Sequence, residues 1–308
     1  MSRDAPPFRP ALLAPRHWPA WIGLGLIRLV ALLPYRRLLP IGRGAGWLAA
    51  RLLRGRRAVA ARNIDLCFPD LDAAARSAMV EANLRDAGLM LVEFALAWMG
   101  SERAVRRIPL EIEGLEHLER ARAAGRGVLL VGAHFSHLEL CARLVSRRIR
   151  IAGMYREHED AAFEWAIKRA RLAYADAMFT KSELRQTVRW LRDGGILWYA
   201  PDQDMRGKDS VFAPFFGVPA STITATHHFA RLSGALVMPF FHRRLDGGGY
   251  AIRLEAPLAG FPGTDVVADT TRVNACIERM VRAAPTQYLW MHKRFKTRPP
   301  GEADVYRR

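Results

Sequence analysis

The run Val128-Leu129-Leu130-Val131-Gly132-Ala133, which ends at His134-Phe135-Ser136-His137-Leu138-Glu139, constrains this chain more than any other segment. An apolar stretch without alternation fits a strand buried on both faces, as in the middle of an internal sheet. The residue leaving that strand is a histidine, and a carboxylate follows five positions later. Such a pair suits activation of a hydroxyl group: the imidazole accepts the proton, while the carboxylate fixes its tautomer and stabilises the imidazolium. On one continuous helix the two side chains would lie about 140° apart, at ~3.6 residues per turn. They meet only if His134 precedes a helix and Glu139 lies in its first turn. A structural reading of the same residues stands beside the catalytic one. Ser136 and Glu139 have capping-box spacing, and His134 can close a strand end without doing chemistry.

The surrounding pattern supports a fold that delivers such strand ends. Helical segments over 44–66 and 73–99 are separated by Phe68-Pro69-Asp70. From Leu110 onward, strand-like and helix-like segments alternate. Strands are expected over 110–112, 127–132, 149–155, 196–200, 235–242 and 250–255. Helices are expected over 115–124, 136–146, 163–174, 184–192, 221–233 and 269–283. This order implies an α/β domain with a largely internal sheet flanked by helices. No internal repeat, low-complexity tract or flexible linker interrupts it. One domain over 44–308 behind a basic N-terminal segment over 1–43 is the simplest division.

Charge sets that N-terminal segment apart. The chain carries a formal charge of +17, and residues 1–57 hold eleven arginines against a single acid, Asp4. A field of that sign attracts nucleic acid, anionic lipid or an acidic protein. The arginines bracket an apolar stretch over 18–33 that would span about 24 Å as a helix at ~1.5 Å per residue, against a hydrocarbon core of ~30 Å. Trp18 and Trp21 at one end, and Arg36 and Arg37 beyond the other, have the character of interfacial anchors. The expectation is a membrane-attached helix, shallow or barely spanning, with the main domain on the cytoplasmic side; a buried amphipathic core helix is the alternative. The three cysteines, Cys67, Cys141 and Cys276, form no disulfide framework or zinc pattern and fit a reducing compartment.

Chemistry is expected at strand ends and the loops after them. Three segments qualify: 134–139; the helix over 163–174 with Lys168, Arg169 and Arg171; and Tyr199-Ala200-Pro201-Asp202-Gln203-Asp204. Asp202 and Asp204 on their own fit turn or ion-pair roles equally well. Cys141 falls on a core stripe with Leu138, Ala142 and Val145, so it reads as packing rather than as a nucleophile. The G-x-S-x-G nucleophile elbow is absent. His134, His137 and Glu139 are metal-ligand types, but H-E-x-x-H and clustered cysteines are missing. His227 and His228 are adjacent on a helix and point apart. Base-assisted direct transfer, without a covalent enzyme intermediate, is therefore favoured.

Five blocks in order carry a resemblance: Arg62-Asn63-Ile64-Asp65-Leu66-Cys67-Phe68-Pro69, the segment 132–139, Trp198-Tyr199-Ala200-Pro201-Asp202-Gln203-Asp204, the segment 210–217, and the tail 284–299. With them the chain resembles, over nearly its whole length, the lipid A late acyltransferases, the lauroyl and myristoyl transferases of Gram-negative inner membranes. The resemblance implies an acyltransferase domain with a mixed sheet, His134 and Glu139 as the H-x4-D/E catalytic pair, and Arg171 and Asp202 as supporting or substrate-binding residues. The stretch around Arg171 departs from the family's usual sequence. The resemblance further implies acyl-acyl carrier protein as donor, a hydroxyl on a 3-hydroxyacyl chain of a Kdo-bearing lipid A precursor as acceptor, no metal or bound cofactor, and an inner-membrane location. The acceptor is an anionic membrane glycolipid and the donor is acidic, which agrees with the basic N-terminus. A related activity on a lysophospholipid, an ornithine-type lipid or a phosphoinositol mannoside is the nearest alternative. A non-catalytic basic membrane or nucleic-acid binding protein is the remote one, and no recognisable nucleic-acid module is present.

Overall fold

The computed structural model describes residues 3–307. Short 3-10 turns at Pro10–Leu13 and Pro15–His17 lead into α1 (Trp18–Val30), α2 (Tyr35–Leu52), α3 (Arg54–Cys67), α4 (Ala73–Met99) and α5 (Glu102–Arg106). The alternating part follows as β1 (Leu110–Glu113), α6 (Leu115–Ala123), β2 (Val128–Val131), α7 (Leu138–Val145), β3 (Ala152–Met154), α8 (Ala161–Leu172), β4 (Met178–Phe179), α9 (Leu184–Arg192) and β5 (Ile196–Tyr199). A hairpin of β6 (Ser210–Phe215) and β7 (Val218–Ile223) precedes α10 (Ala225–Ser233), β8 (Leu236–Arg244), β9 (Tyr250–Leu254) and α11 (Val266–Ala283).

Seven strands form one mixed sheet in the order β1-β9-β8-β2-β5-β3-β4. β2 lies between β5 and β8 and is parallel to both, whereas β9 runs antiparallel to β8. All four residues of β2 are buried, and alternation decides which core each joins. Leu129 and Val131 face the core shared with Leu197, Val237 and Ile277. Val128 and Leu130 face the other, with Leu96, Cys141, Leu144 and Met238. The continuous apolar run is thus the signature of two covered faces.

The long α4 starts at Asp72, whose carboxylate accepts a hydrogen bond from the Ala75 amide at 2.7 Å, a standard N-cap. It is the platform for α2. A Cβ at Gly88 would lie 2.3 Å from the Gly42 carbonyl oxygen and the Gly46 nitrogen, so the two helices cross backbone to backbone and only glycine fits. Position 43, the division expected from composition, falls inside α2, and Leu38 of that helix is fully buried against α4 and β9 residues.

α1 is 13 residues long. Among the described residues no helix is long and apolar enough to cross a membrane. Trp18, Ile22, Leu26 and Leu29 are all exposed and share one face of α1 by their spacing. Leu24 on the opposite face is buried beside Ala166 and Ile167 of α8.

Two local expectations are corrected. The segment 44–66 is two helices, because Leu53 leaves helical geometry at φ −92°, ψ 56°. The start of the expected helix over 221–233 is strand β7, paired along its length with β6. The β6–β7 turn is Phe216-Gly217, both with positive φ (52° and 74°), the two-residue arrangement that matches strand twist.

Candidate active site

Adjacent parallel strands build the centre of the site. Val131 of β2 is in register with Tyr199 of β5, so His134 and Asp202 each lie three residues past a paired position. The two side chains meet: His134 Nδ1 is 2.6 Å from Asp202 Oδ1. The His134 amide also donates to Asp202 Oδ2 at 2.9 Å. One carboxylate therefore fixes both the ring and the main chain that carries it. With Nδ1 committed, Nε2 is the proton-accepting nitrogen, and it makes no hydrogen bond among the described residues. Asp202 is buried, while the imidazole keeps 29 % of its surface open.

Burial opposes charge on both groups, and their contact outweighs it. Burial alone would lower the His134 pKa, but Asp202 raises it above the ordinary imidazole value. Burial alone would raise Asp202, but the imidazole and the His134 amide hold it at about 2. A carboxylate this firmly ionised orients the ring and stabilises the imidazolium without taking its proton.

Glu139 belongs to a different cluster. It sits in the first turn of α7 and receives Arg171 of α8 in a two-point contact, Nε to Oε1 at 2.8 Å and Nη2 to Oε2 at 2.7 Å. The Tyr174 hydroxyl donates to Oε1 at 2.6 Å. Arg171 and Tyr174 reach it together because they stand three residues apart on one side of the chain. Burial pushes Glu139 upward, but Arg171 brings it below the ordinary carboxylate range. The expectation that Glu139 orients the His134 ring meets this geometry: the ring's carboxylate is Asp202, and Glu139 is saturated by Arg171 and Tyr174. All four expected residues lie in one region, as two pairs. Lys168 and Arg171 both lie over the Tyr155 ring, and Arg169 lies over Trp165.

The tail closes over the histidine loop. The Leu289 amide donates to the His134 carbonyl at 2.9 Å, and the Ser136 amide to the Gln287 carbonyl at 2.9 Å. Two buried asparagines from the N-terminal helices secure this strap: Asn63 Nδ2 bonds the Trp290 and His292 carbonyls, each at 2.7 Å. Asn83 Nδ2 bonds those of Thr286 and Tyr288 at 2.8 and 2.7 Å. Asp204 caps the same strap through Thr297. Beneath the loop, buried Arg244 pairs with Glu93 and donates to Ser136 Oγ at 2.7 Å. Sequence reasoning passed over Tyr174, Glu93 and Arg244. Glu93 left one signal, a charged residue within an apolar run, whereas Arg244 ends a run beside a second arginine.

An apolar cavity of about 120 Å³ lies between α7, α8 and the sheet, against the Glu139–Arg171 pair. Leu138, Ala142, Val145, Met154, Met178 and Phe240 line it, with Glu139, Arg171 and Tyr174 on its wall. Trp198, also in the lining, stands edge-on to the His134 ring with centroids 6.2 Å apart. A proton acceptor near a narrow apolar slot is equipped to handle a hydroxyl and a hydrocarbon chain together.

Residues 5–297 match the model of the bacterial lipid A biosynthesis acyltransferases. The chain is 38 % identical over 305 residues to the lipid A biosynthesis lauroyltransferase of Escherichia coli (strain K12), covering 98 % of this chain and 99 % of that one. It is 39 % identical over 301 residues to the palmitoleoyltransferase of the same organism, covering 97 % and 98 %. The myristoyltransferase of that organism is 29 % identical over 314 residues, covering 100 % and 96 %.

Proposed function

The chain belongs to the bacterial lipid A biosynthesis acyltransferases, and we propose that it moves a fatty acyl chain from an acyl carrier protein thioester to a hydroxyl on a 3-hydroxyacyl chain of a Kdo-bearing lipid A precursor. The observation that carries this reading is the His134–Asp202 pair, whose Nε2 makes no hydrogen bond among the described residues and whose ring meets the edge of Trp198, a residue that lines an apolar cavity. His134 Nε2 removes the acceptor hydroxyl proton as the oxygen attacks the thioester carbonyl. The tetrahedral intermediate collapses, the C–S bond breaks, and the imidazolium returns its proton to the departing thiolate. Asp202 holds Nδ1–H toward itself throughout and stays ionised. No enzyme-bound acyl group forms.

Glu139, Arg171 and Tyr174 act as the rigid polar wall of the acyl slot rather than as proton carriers. Arg171 is a permanent cation, its pKa raised by Glu139 against the opposing effect of burial. Burial, then the Glu139 charge, raises Tyr174 well above its ordinary value, so its hydroxyl remains a donor.

The acceptor lies in a bilayer, and the exposed face of α1 supplies a way to reach it. Trp18, Ile22, Leu26 and Leu29 of α1 and Leu48 and Leu52 of α2 are exposed apolar residues, and Arg28, Arg36, Arg37 and Arg43 of the same two helices are exposed as well. That combination docks a protein on the cytoplasmic leaflet of an anionic membrane without a span. Trp18→Glu with Leu26→Glu is expected to release the protein from anionic vesicles in flotation. Unchanged flotation would remove α1 from the membrane contact.

The functional test is a mass-resolved assay with detergent-purified protein, mixed acyl carrier protein thioesters and the Kdo-bearing tetra-acylated precursor. One added acyl chain is expected. Turnover should fall about 10²- to 10⁴-fold in His134→Ala. Transfer confined to acyl-CoA and a lysolipid would overturn the acceptor and donor together.

A further inference from the structure

Three ligand-type side chains meet in the core behind the His134 loop, and the transfer reaction uses none of them. His137 caps the start of α7, Cys141 lies one turn further along, and His242 is on β8. All three are buried, and their ligand atoms lie within 4.8 Å of one another. The two imidazoles stand perpendicular, with centroids 4.7 Å apart.

These rings are anomalous as packing groups. The His242 main chain approaches the His137 ring, yet neither nitrogen of either ring makes a hydrogen bond of ordinary geometry. A neutral imidazole always carries one N–H donor and one bare acceptor, so no choice of tautomer relieves either residue. Buried polar atoms are ordinarily paired, and four orphans in one spot call for a missing partner. The guanidinium of Arg244 is close to both rings and disfavours protonating either of them. Glu93 already neutralises that guanidinium through two contacts.

We propose that His137, Cys141 and His242 bind one zinc ion. Two imidazoles and a thiolate are a borderline-soft donor set that favours zinc over magnesium or calcium. The three side chains fill three of the four positions zinc usually takes, and water fills the fourth. Ligand atoms around a tetrahedral zinc are on the order of 3.5 Å apart, from bonds of about 2.0–2.3 Å, so small rotations of these side chains close the site. Binding is proton-balanced: the ion displaces the Cys141 thiol proton to solvent and takes the thiolate. The ion ties the first turn of α7 to β8. It pins the 134–137 loop from within the core, while the 287–289 strap holds it from outside. Its role is positional.

The test uses the full chain, purified in detergent, and reads the metal itself. After gel filtration, elemental analysis is expected to find about one zinc per chain. Exchange into cobalt should give a thiolate-to-metal charge-transfer band. Cys141→Ser keeps the side chain's size and should abolish that band. His242→Gln should weaken zinc binding more than about tenfold, since even outer partners of a metal ligand are worth ~10–100-fold. Chelation should lower the melting temperature of the natural protein and leave that of Cys141→Ser unchanged. Substoichiometric zinc with no cobalt band in folded natural protein would overturn the site and leave buried water as the partner. A band that persists in Cys141→Ser would place the metal elsewhere and equally overturn it. Neither readout depends on which lipid the enzyme acylates.

Discussion

Asp202 and Glu139 are two buried carboxylates near one histidine, and they have been put to opposite uses. Asp202 is bonded to a group that changes protonation in the accessible range, with 29 % of its ring exposed. Glu139 is bonded to a guanidinium, which never does, and to a tyrosine hydroxyl held protonated. Both are held ionised, one by a partner that can gain or lose charge and one by a fixed cation. A carboxylate therefore contributes to proton transfer through what it touches, and being ionised and buried does not distinguish the two. Under the proposed mechanism this pairing gives Asp202 a part in turnover and Glu139 a part in holding α7 to α8.

The comparison breaks most readily at Asp202. Asp202→Asn keeps the shape and loses the charge that orients the ring, and kcat is expected to drop by roughly 10⁴-fold, the size seen when such an orienting aspartate is amidated. Thermal stability should change far less. A Glu139→Gln protein that lost as much kcat, with an unchanged melting temperature, would reverse the two assignments.

The second expected effect is on stability. Arg171→Ala leaves Glu139 in the core without its cation, and breaking a buried pair costs about 3–5 kcal/mol. Melting should fall by roughly 2–4 °C per kcal/mol. Adding Glu139→Leu to Arg171→Ala should restore most of it, because the unpaired charge is then gone. Failure of that rescue would mean that the ion pair does more than hold α7 to α8.

The smallest effect sharpens the His134 side. The base works only when neutral, so kcat/KM rises with pH through the His134 pKa, which Asp202 places above the ordinary imidazole value. In Asp202→Asn that limb should move to lower pH, and in Glu139→Gln it should stay. Stability follows the same pair with its own signs. The raised His134 contributes below its ordinary pKa and loses this as pH rises through the raised value. The depressed Asp202 contributes above its ordinary pKa and loses this as pH falls toward about 2.

Much of the fold was legible because burial on two faces leaves its mark locally. β2 and β8 were marked by unbroken apolar runs, and α4 and α11 by helical periodicity. The β6–β7 hairpin was not legible, since its turn is Phe216-Gly217 rather than an asparagine–glycine pair and its second strand is rich in serine and threonine. β4 has two residues, too few to show any period. The break at Leu53 is announced only by Gly55, two residues further on. Of the site, His134 stood out at a strand end, Arg171 and Asp202 lay in segments singled out by position, and family likeness alone picked them from their charged neighbours. Tyr174, Arg244 and the asparagines that hold the strap are ordinary residues until their partners, far away in sequence, are in place.

The sequence by itself determined the alternation of the main strands and helices, the buried run that ends at His134, and the basic, apolar-faced N-terminus. Those are short-range properties, written in propensity, period and charge. Only the tertiary structure decided which acid serves the histidine. His134 and Asp202 are 68 residues apart, and they meet because β2 and β5 are neighbours in register. Glu139, five residues away, is turned by the first turn of α7 toward α8. Pairing across a sheet depends on strand order and register, which arise from packing the whole chain, and no local pattern encodes them.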